Sequence, residues 1–272
     1  MRKTLFSGIA ACLLATAATA AEQSPSVIWT VGQADRSASE FALAPDRFRD
    51  FLANDFGYED KYFLVGHSVP AADFPYVLPG PADTWGGTWP TSGWRTHQVN
   101  ILFGLKEIPS DGTCTLVVDL LDYAKNFLPL VKVSVNTQDA KFQLDAPGLS
   151  VADQRKPNQM EKIVDTLSIT GNLAKATPRR LEIPIRPGVL KAGGNEVTIT
   201  VLEGSWILFD RVSLEGPAGT NVEQPQQLFI RNIEAAPYEL ADGKRRVQPL
   251  LVDLEWLEGA PALSVELDGK EI

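Results

Sequence analysis

The chain has 272 residues and a formal charge of −9, with 34 acidic against 25 basic side chains. That balance excludes a nucleic-acid partner, whose phosphates require a basic footprint, and argues against an anionic membrane surface. No stretch is of low complexity and no internal repeat recurs at a fixed period, so the chain reads as ordinary globular sequence.

The first twenty residues read as a targeting segment. Arg2 and Lys3 give a basic start, Leu5–Ala17 an apolar run too short to span a bilayer, and Ala18-Thr19-Ala20 a small-residue cleavage site. Residues 1–20 are therefore expected to be a signal peptide, and the destination to be secreted or periplasmic. Ile9-Ala10-Ala11-Cys12 offers a second reading, a lipoprotein box acylated at Cys12. The apolar run continues past Cys12, where a mature lipoprotein turns polar, so ordinary export is preferred. Loss of Arg2 and Lys3 leaves 23 basic and 34 acidic residues, a net −11. The remaining cysteine, Cys114, has no internal partner for a disulfide and reads as a small buried hydrophobe.

In chain order, Val27–Val31 is the first expected strand, followed by the polar turn Gly32–Ser39. Phe41–Phe56 is the one helical stretch, started by Pro45-Asp46, with Phe48, Phe51 and Leu52 at core-facing spacing. Tyr62–Gly66 is a short strand. His67 to His97 is long, irregular and rich in Pro, Gly and aromatic residues. Such a connection inside a compact domain is functional or disordered, and its aromatic content argues for order.

Strands resume with Val99–Leu105, then Thr115–Leu121 after the turn Pro109–Gly112, then Leu130–Val135. Short strands are expected near Phe142 and at Leu167–Thr170. Leu181–Ile185 carries Pro184, which marks an edge strand. Gly193–Leu214 is the most regular stretch. Val197, Ile199 and Val201 alternate with Glu196, Thr198 and Thr200 before the turn Glu203-Gly204-Ser205. Trp206–Phe209 is apolar on both faces, as a central strand under a second layer would be. The stretch reads as a closing hairpin, with Asp210 among apolar neighbours. Asp210 suits a loop-amide acceptor, a bulge or a ligand of a structural calcium.

Gly216–Gln227 contains a linker, residues 218–227. Beyond it, Leu228–Ile233, Val247–Leu254 and Leu263–Leu267 read as strands, with Asp242-Gly243 and Asp268-Gly269 as turns. Three strands bury too little to stand alone. Residues 228–272 are thus expected to be an incomplete second β domain, in the front part or a fragment of a longer protein. The fold class is all-β: an antiparallel β-sandwich over 26–217 followed by the start of a second β domain.

Three stretches resemble one family. They are Ile28–Gly32 with Glu40-Phe41; Phe74–Trp85, which contains Pro79-Gly80-Pro81-Ala82-Asp83; and Gly194–Leu214, which contains Gly204-Ser205-Trp206-Ile207-Leu208-Phe209-Asp210. The chain is similar here to the jelly-roll module that forms the third domain of rhamnogalacturonan lyases of polysaccharide lyase family four. Similar modules stand at the front of large secreted glycoside-active proteins. The resemblance implies a galactose-binding-like sandwich associated with carbohydrate, usually not the catalytic domain. The catalytic domain of those lyases has no counterpart here, so no catalytic residue is carried over.

The candidate carbohydrate contacts are Trp85, Trp89, Trp94 and Tyr76, whose ring planes suit the C–H faces of sugars, with Asp83, Thr84, Arg95 or Asn100 for the hydroxyls. Core packing is the competing explanation for each ring. His67 and His97 carry no metal-ligand spacing. No nucleophile motif surrounds Cys114 or any serine, and no carboxylate pair visibly converges on the aromatic loop. No cofactor is implied, a structural calcium apart. Three readings stand: a module that binds polysaccharide, a structural sandwich packed on further domains of the same protein, and a lyase or hydrolase in its own right. The first is preferred.

Overall fold

The computed structural model describes residues 26–56, 61–86, 97–108, 113–145, 167–223, 228–256, 262–264, 266–267 and 270–271. The strands begin with β1 (Ser26–Gly32), β2 (Tyr62–Leu64), β3 (Val77–Leu78), β4 (Gln98–Leu105), β5 (Thr115–Tyr123) and β6 (Leu130–Val135). They continue with β7 (Gln138–Gln143), β8 (Arg179–Pro184), β9 (Gly193–Glu203), β10 (Ile207–Gly216) and β11 (Val222–Glu223). The C-terminal part adds β12 (Leu228–Ala235), β13 (Leu240–Asp242), β14 (Arg245–Val247), β15 (Leu250–Trp256), β16 (Glu266–Leu267) and β17 (Lys270–Glu271).

Two sheets face each other. One runs β1-β10-β5-β8, with β3 also on β10; the other runs β11-β4-β9-β6-β7, with β2 also on β4. Among the described strands the pairings are antiparallel except β2 with β4. The inner faces interdigitate: Trp29, Val31, Leu116, Val118, Leu181, Val212 and Leu214 meet Ile101, Phe103, Val131, Val133, Val197 and Ile199. Trp29 and Phe103 touch across the gap, ring centres 5.2 Å apart. Each such side chain contributes roughly 1.5–3 kcal/mol of apolar burial, which is why period-two alternation specifies these strands so firmly.

The stretch read as a closing hairpin is not one. β9 lies in the second sheet between β4 and β6, and β10 in the first between β1 and β5. The Gly204 turn is an arch that carries the chain from one sheet to the other. Alternation and a glycine turn are common to hairpin and arch; only the partners differ. The central place expected for Trp206–Phe209 is observed for Ile207–Phe209, the start of β10, and Pro184 sits on an edge strand.

Other expectations are corrected. Phe41–Phe56 forms no α-helix but two 3-10 turns, Phe48–Asp50 and Leu52–Asn54, and Leu43 and Asp55 take positive φ. A stretch this short cannot overcome helix nucleation when its apolar side chains already have burial sites. Those sites exist: Phe51 and Phe56 are buried, and Phe48 and Leu52 pack against the core. Leu167–Thr170 is a 3-10 turn rather than a strand. Its polar groups are met by side chains, Tyr76 Oη donating to the Ile169 carbonyl at 2.7 Å and Ser168 Oγ to Asp122 at 2.6 Å. The linker at 218–227 is in part a strand, since Val222 and Glu223 pair with Leu105 and Gly104 of β4.

The expected strand Val247–Leu254 is split at Pro249 between β14 and β15. β12 and β15 form one antiparallel ribbon, and β13 and β14 another turned at Gly243. The first ribbon rests on the outer face of the second sheet, where Phe229 packs on Leu64 and Leu102. Tyr62 Oη donates to the Trp256 carbonyl at 3.2 Å, and Arg231 bridges Glu196 of β9 and Glu255 of β15. The expected turn Asp268-Gly269 lies outside the described residues.

Candidate carbohydrate-contact surface

Every long connection gathers at one end of the sandwich. β1, β5, β7 and β9 finish there, and β4, β6, β8 and β10 begin there, as their registers require. The opposite end is closed by tighter turns, among them Asn136-Thr137 between β6 and β7. The loop-rich end is therefore where side chains are free of the ladder to serve a ligand.

Trp85 lies at this end on the 3-10 turn Thr84–Gly86. Its ring stands edge-on to Phe48, centres 5.1 Å apart at 77°, and to Phe51 at 6.2 Å and 81°. His97 stacks edge-on against Phe51 at 5.4 Å. Phe51 and His97 are buried while Trp85 and Phe48 are half-buried. The cluster is thus a rooted aromatic knob with two partly open rings. The Arg49 guanidinium lies over the Phe48 ring, 5.5 Å from its centre, a cation–π distance. Arg47 and Asp50 form an exposed ion pair alongside at 2.9 Å. A partly exposed aromatic pair flanked by guanidinium and carboxylate groups combines apolar and hydrogen-bonding surface, the two things a pyranose needs.

The other candidates separate. Tyr76 is fully buried, and burial raises its phenol well above the ordinary range. It belongs to the core and not to the surface. Asp83 is buried as well: its carboxylate accepts the Gly80 amide at 2.8 Å and the Ser205 hydroxyl at 2.5 Å. It fixes the Pro79–Asp83 loop instead of offering itself to sugar. Asn100 is buried on β4, accepting from Gln98 and Thr198. Thr84 is exposed beside Trp85. Trp89, Trp94 and Arg95 lie outside the described residues. Phe48 reads from the sequence as core packing alone, because helical spacing says nothing of which ring edge stays open.

Asp210 combines two of its expected roles. It sits where the β10–β5 register shifts between Phe209 and Arg211, and its Oδ1 accepts the Arg36 amide at 3.0 Å. Among the described residues no group of three His, Cys, Asp or Glu side chains is placed to hold a metal ion. Cys114 is buried and unpaired, and burial raises its thiol.

Nothing in the sequence pointed to Asp122. Its fully buried carboxylate accepts from Lys125 Nζ at 2.9 Å, Ser168 Oγ at 2.6 Å, Thr177 N at 3.0 Å and Thr177 Oγ1 at 3.1 Å. Those bonds pin the 167–177 segment onto the first sheet. The same segment, with Ser37–Ser39, Pro45 and Leu208, walls a cavity of about 250 Å³. Asp122 is one of several acids in the chain, and only the fold brings Ser168 and Thr177 to it.

No helix among the described residues is long and apolar enough to cross a membrane. No curated protein matches the chain. Among solved structures, a family GH115 4-O-methyl-alpha-glucuronidase with specificity for decorated arabinogalactans aligns with 45% of this chain at 15% identity and a TM-score of 0.24. The alignment takes in 14% of that enzyme's length, and a likeness at this level carries no argument. The family profile is decisive: residues 27–214, which include both the Pro79–Asp83 loop and the Gly204–Asp210 strand, match the CBM-like domain III of polysaccharide lyase family 4. With most of its length matched, this chain belongs to that CBM-like family.

Proposed function

We propose that the sandwich is a non-catalytic polysaccharide-binding module, exported by means of residues 1–20 and working within a larger polysaccharide-degrading protein. The observation that carries the reading is the half-open Trp85–Phe48 pair at the loop-rich end of a CBM-like domain. Trp85 is the anchor, stacked on one sugar ring, and Arg49 and Thr84 reach its hydroxyls. The test is affinity electrophoresis of the full chain through gels containing rhamnogalacturonan, other pectins, mannan or xylan. Retardation in one gel, relieved by Trp85→Ala with cooperative melting intact, supports the module and names its substrate class. Free migration in every gel overturns it. Turnover of a gel polysaccharide by the chain alone replaces it with the enzymatic reading.

A second reading rests on a different observation. Among the described residues, Ile233, Tyr238, Leu240, Leu250 and Trp256 are exposed on the C-terminal ribbons, against Val27, Val69, Ile108 and Phe127 on the much longer sandwich. Single exposed hydrophobes are common, but several close in sequence across two ribbons suit a packing partner. In this reading the sandwich is a structural unit whose C-terminal ribbons dock against a further domain of the same protein. Free migration in the gels together with solubilisation by Trp256→Ser and Leu250→Ser favours it.

A further inference from the structure

The cavity of about 250 Å³ lies at the loop-rich end, against the first sheet. Its floor is the buried Tyr76 ring with Leu121 and Leu208. One wall comes from the connection after β1, through Ala38 and Pro45; the other comes from the 167–177 segment, through Gly171 and Leu173. Ser39, Pro45 and Gly171 are exposed, so the cavity opens to solvent between them. Pro45 stands three residues before Phe48, at most about 11 Å of chain, which makes the cavity a neighbour of the aromatic pair.

Each wall has its own anchors. On one side Asp210 Oδ1 accepts the Arg36 amide at 3.0 Å, and Glu40 Oε1 accepts the Gln33 amide at 2.9 Å. On the other, Tyr76 Oη donates to the Ile169 carbonyl, and Asp122 accepts from Ser168 and Thr177. Where the walls approach, a Cβ on Gly171 would meet Pro45 Cβ at 3.0 Å. Walls bonded independently to the sheet keep the space between them pre-formed.

The lining chemistry is specific. Among the described residues no charged side chain lines the cavity. The charges of the surrounding elements leave no positive surplus: Asp35, Glu40, Asp46, Asp122 and Asp210 stand against Arg36, Arg47, Lys125 and Lys175. A carboxylate entering here would lose its water and gain no counter-ion. At the floor the polar groups are already committed, Tyr76 Oη to Ile169 and Ser168 Oγ to Asp122. A hydroxyl pushed that deep would lose hydrogen bonds, whereas a methyl group gains burial. At the mouth, Ser37 Oγ donates to Ser39 Oγ at 2.9 Å and accepts the Ser39 amide at 3.1 Å. The pair keeps one hydroxyl hydrogen that has no acceptor among the described residues. The volume equals about eight water molecules at about 30 Å³ each, room for one sugar residue.

We propose that this cavity is a second saccharide subsite, selective for a neutral deoxy sugar that carries a methyl group where common hexoses carry hydroxymethyl. The methyl lies on Leu121, Leu208 and the Tyr76 ring, and a ring hydroxyl at the mouth accepts from the Ser37–Ser39 pair. That the ligand is a sugar rests on the carbohydrate-binding reading above; the preference for a neutral, methyl-bearing body rests on the lining.

The test titrates the full chain, followed by amide chemical shifts, with D-fucose, D-galactose and sodium D-galacturonate, which differ only in methyl, hydroxymethyl or carboxylate at one carbon. L-rhamnose against L-mannose gives a second methyl–hydroxymethyl pair. Saturable shifts at Ser39, Gly171 and Leu173 with at least one methyl sugar, at least fivefold weaker with its hydroxymethyl counterpart and with galacturonate, support the site. Ala38→Leu, which fills the cavity, should abolish them, and the exposed Ser39→Ala should weaken them about threefold with the melting temperature unchanged. Trp85→Ala should leave them in place while gel retention is lost, so the two surfaces fail separately. No saturable shift with either methyl sugar, or binding that survives Ala38→Leu, overturns the site. Equal binding of the hydroxymethyl sugar or of galacturonate overturns the methyl preference.

Discussion

Ser205 and Asp83 stand 122 residues apart in the chain and share a short hydrogen bond, Ser205 Oγ donating to Asp83 Oδ1 at 2.5 Å. Around it the Ala82 amide donates to the Gly204 carbonyl at 2.9 Å, and Gly80 lies so close that a Cβ there would meet Gly204 O at 2.5 Å. The two sequence motifs most specific to the family are thus each other's packing partners. One is the arch between the sheets, and the other is the loop that clamps it.

That relationship gives the first prediction. Asp83→Ala leaves the Gly80 amide and the Ser205 hydroxyl buried without their acceptor, and should lower unfolding free energy by about 2–4 kcal/mol. Ser205→Ala, which removes one donor from a carboxylate that keeps others, should cost about 1–2 kcal/mol. Urea unfolding measures both. An unchanged midpoint in Asp83→Ala with lost polysaccharide retention would return Asp83 to the ligand surface.

The arch itself tolerates only glycine. Gly204 has φ +83°, and a Cβ there would meet Leu128 O at 2.3 Å and Phe127 O at 2.7 Å. Gly204→Ala should cost about 3 kcal/mol or more, the left-handed strain plus a backbone clash. Gly188 has φ +80° and nothing within 4 Å of its Cβ position. Gly188→Ala should therefore cost only about 1 kcal/mol, from strain alone. Comparing the two melting temperatures isolates the clash.

Asp210 sets a pH dependence. Burial, followed by the carboxylates of Asp35, Asp119 and Glu40, pushes its carboxyl up to about 6 against the opposing bond from the Arg36 amide. An unfolded aspartate titrates near about 3.9. Between those values the folded chain holds more protons, so the group favours the fold below about pH 4 and loses that benefit as pH rises through 6. Asp210→Asn, which still offers an acceptor to Arg36, should raise stability by about 1–3 kcal/mol at pH 7–8 and by almost nothing near pH 4. Melting curves of both proteins across that range check it; parallel curves would refute it.

Asp122 predicts the largest single loss. Asp122→Ala strands the buried Lys125 ammonium and frees Ser168 and Thr177, and should cost about 3–5 kcal/mol. Denaturation should show it, and limited proteolysis should cut within 167–177 in the variant before the rest of the sandwich.

Strand positions were legible wherever one face is buried, because alternation such as Val197-Ile199-Val201 has a single solution once a core exists. Strand partners were not. Nothing in Gly193–Leu214 distinguishes a hairpin from an arch, since the discriminating contacts, Asp83 with Ser205 and Leu128 with Gly204, come from distant sequence. The aromatic loop was legible as a location but not residue by residue. Tyr76 and Trp85 have the same kind of neighbours in sequence, yet one ring is enclosed beside β10 and the other stops at the surface. Asp122 and Arg231 were invisible because their environments are assembled wholly by tertiary contacts and a register shift. The turn at 167–170 was misread because its apolar residues bury through side-chain anchors that no periodicity records.

The consecutive placement of β9 and β10 at the centres of opposite sheets has a consequence for how the molecule is made. During synthesis β4 and β6 have no common partner until β9 emerges, and β1 and β5 none until β10 does. The second layer cannot close until residue 203 has left the ribosome, nor the first until residue 216 has, so the apolar faces between them stay exposed until then. The sandwich is therefore acquired nearly all at once, late, and through contacts distant in sequence, which makes for slow folding.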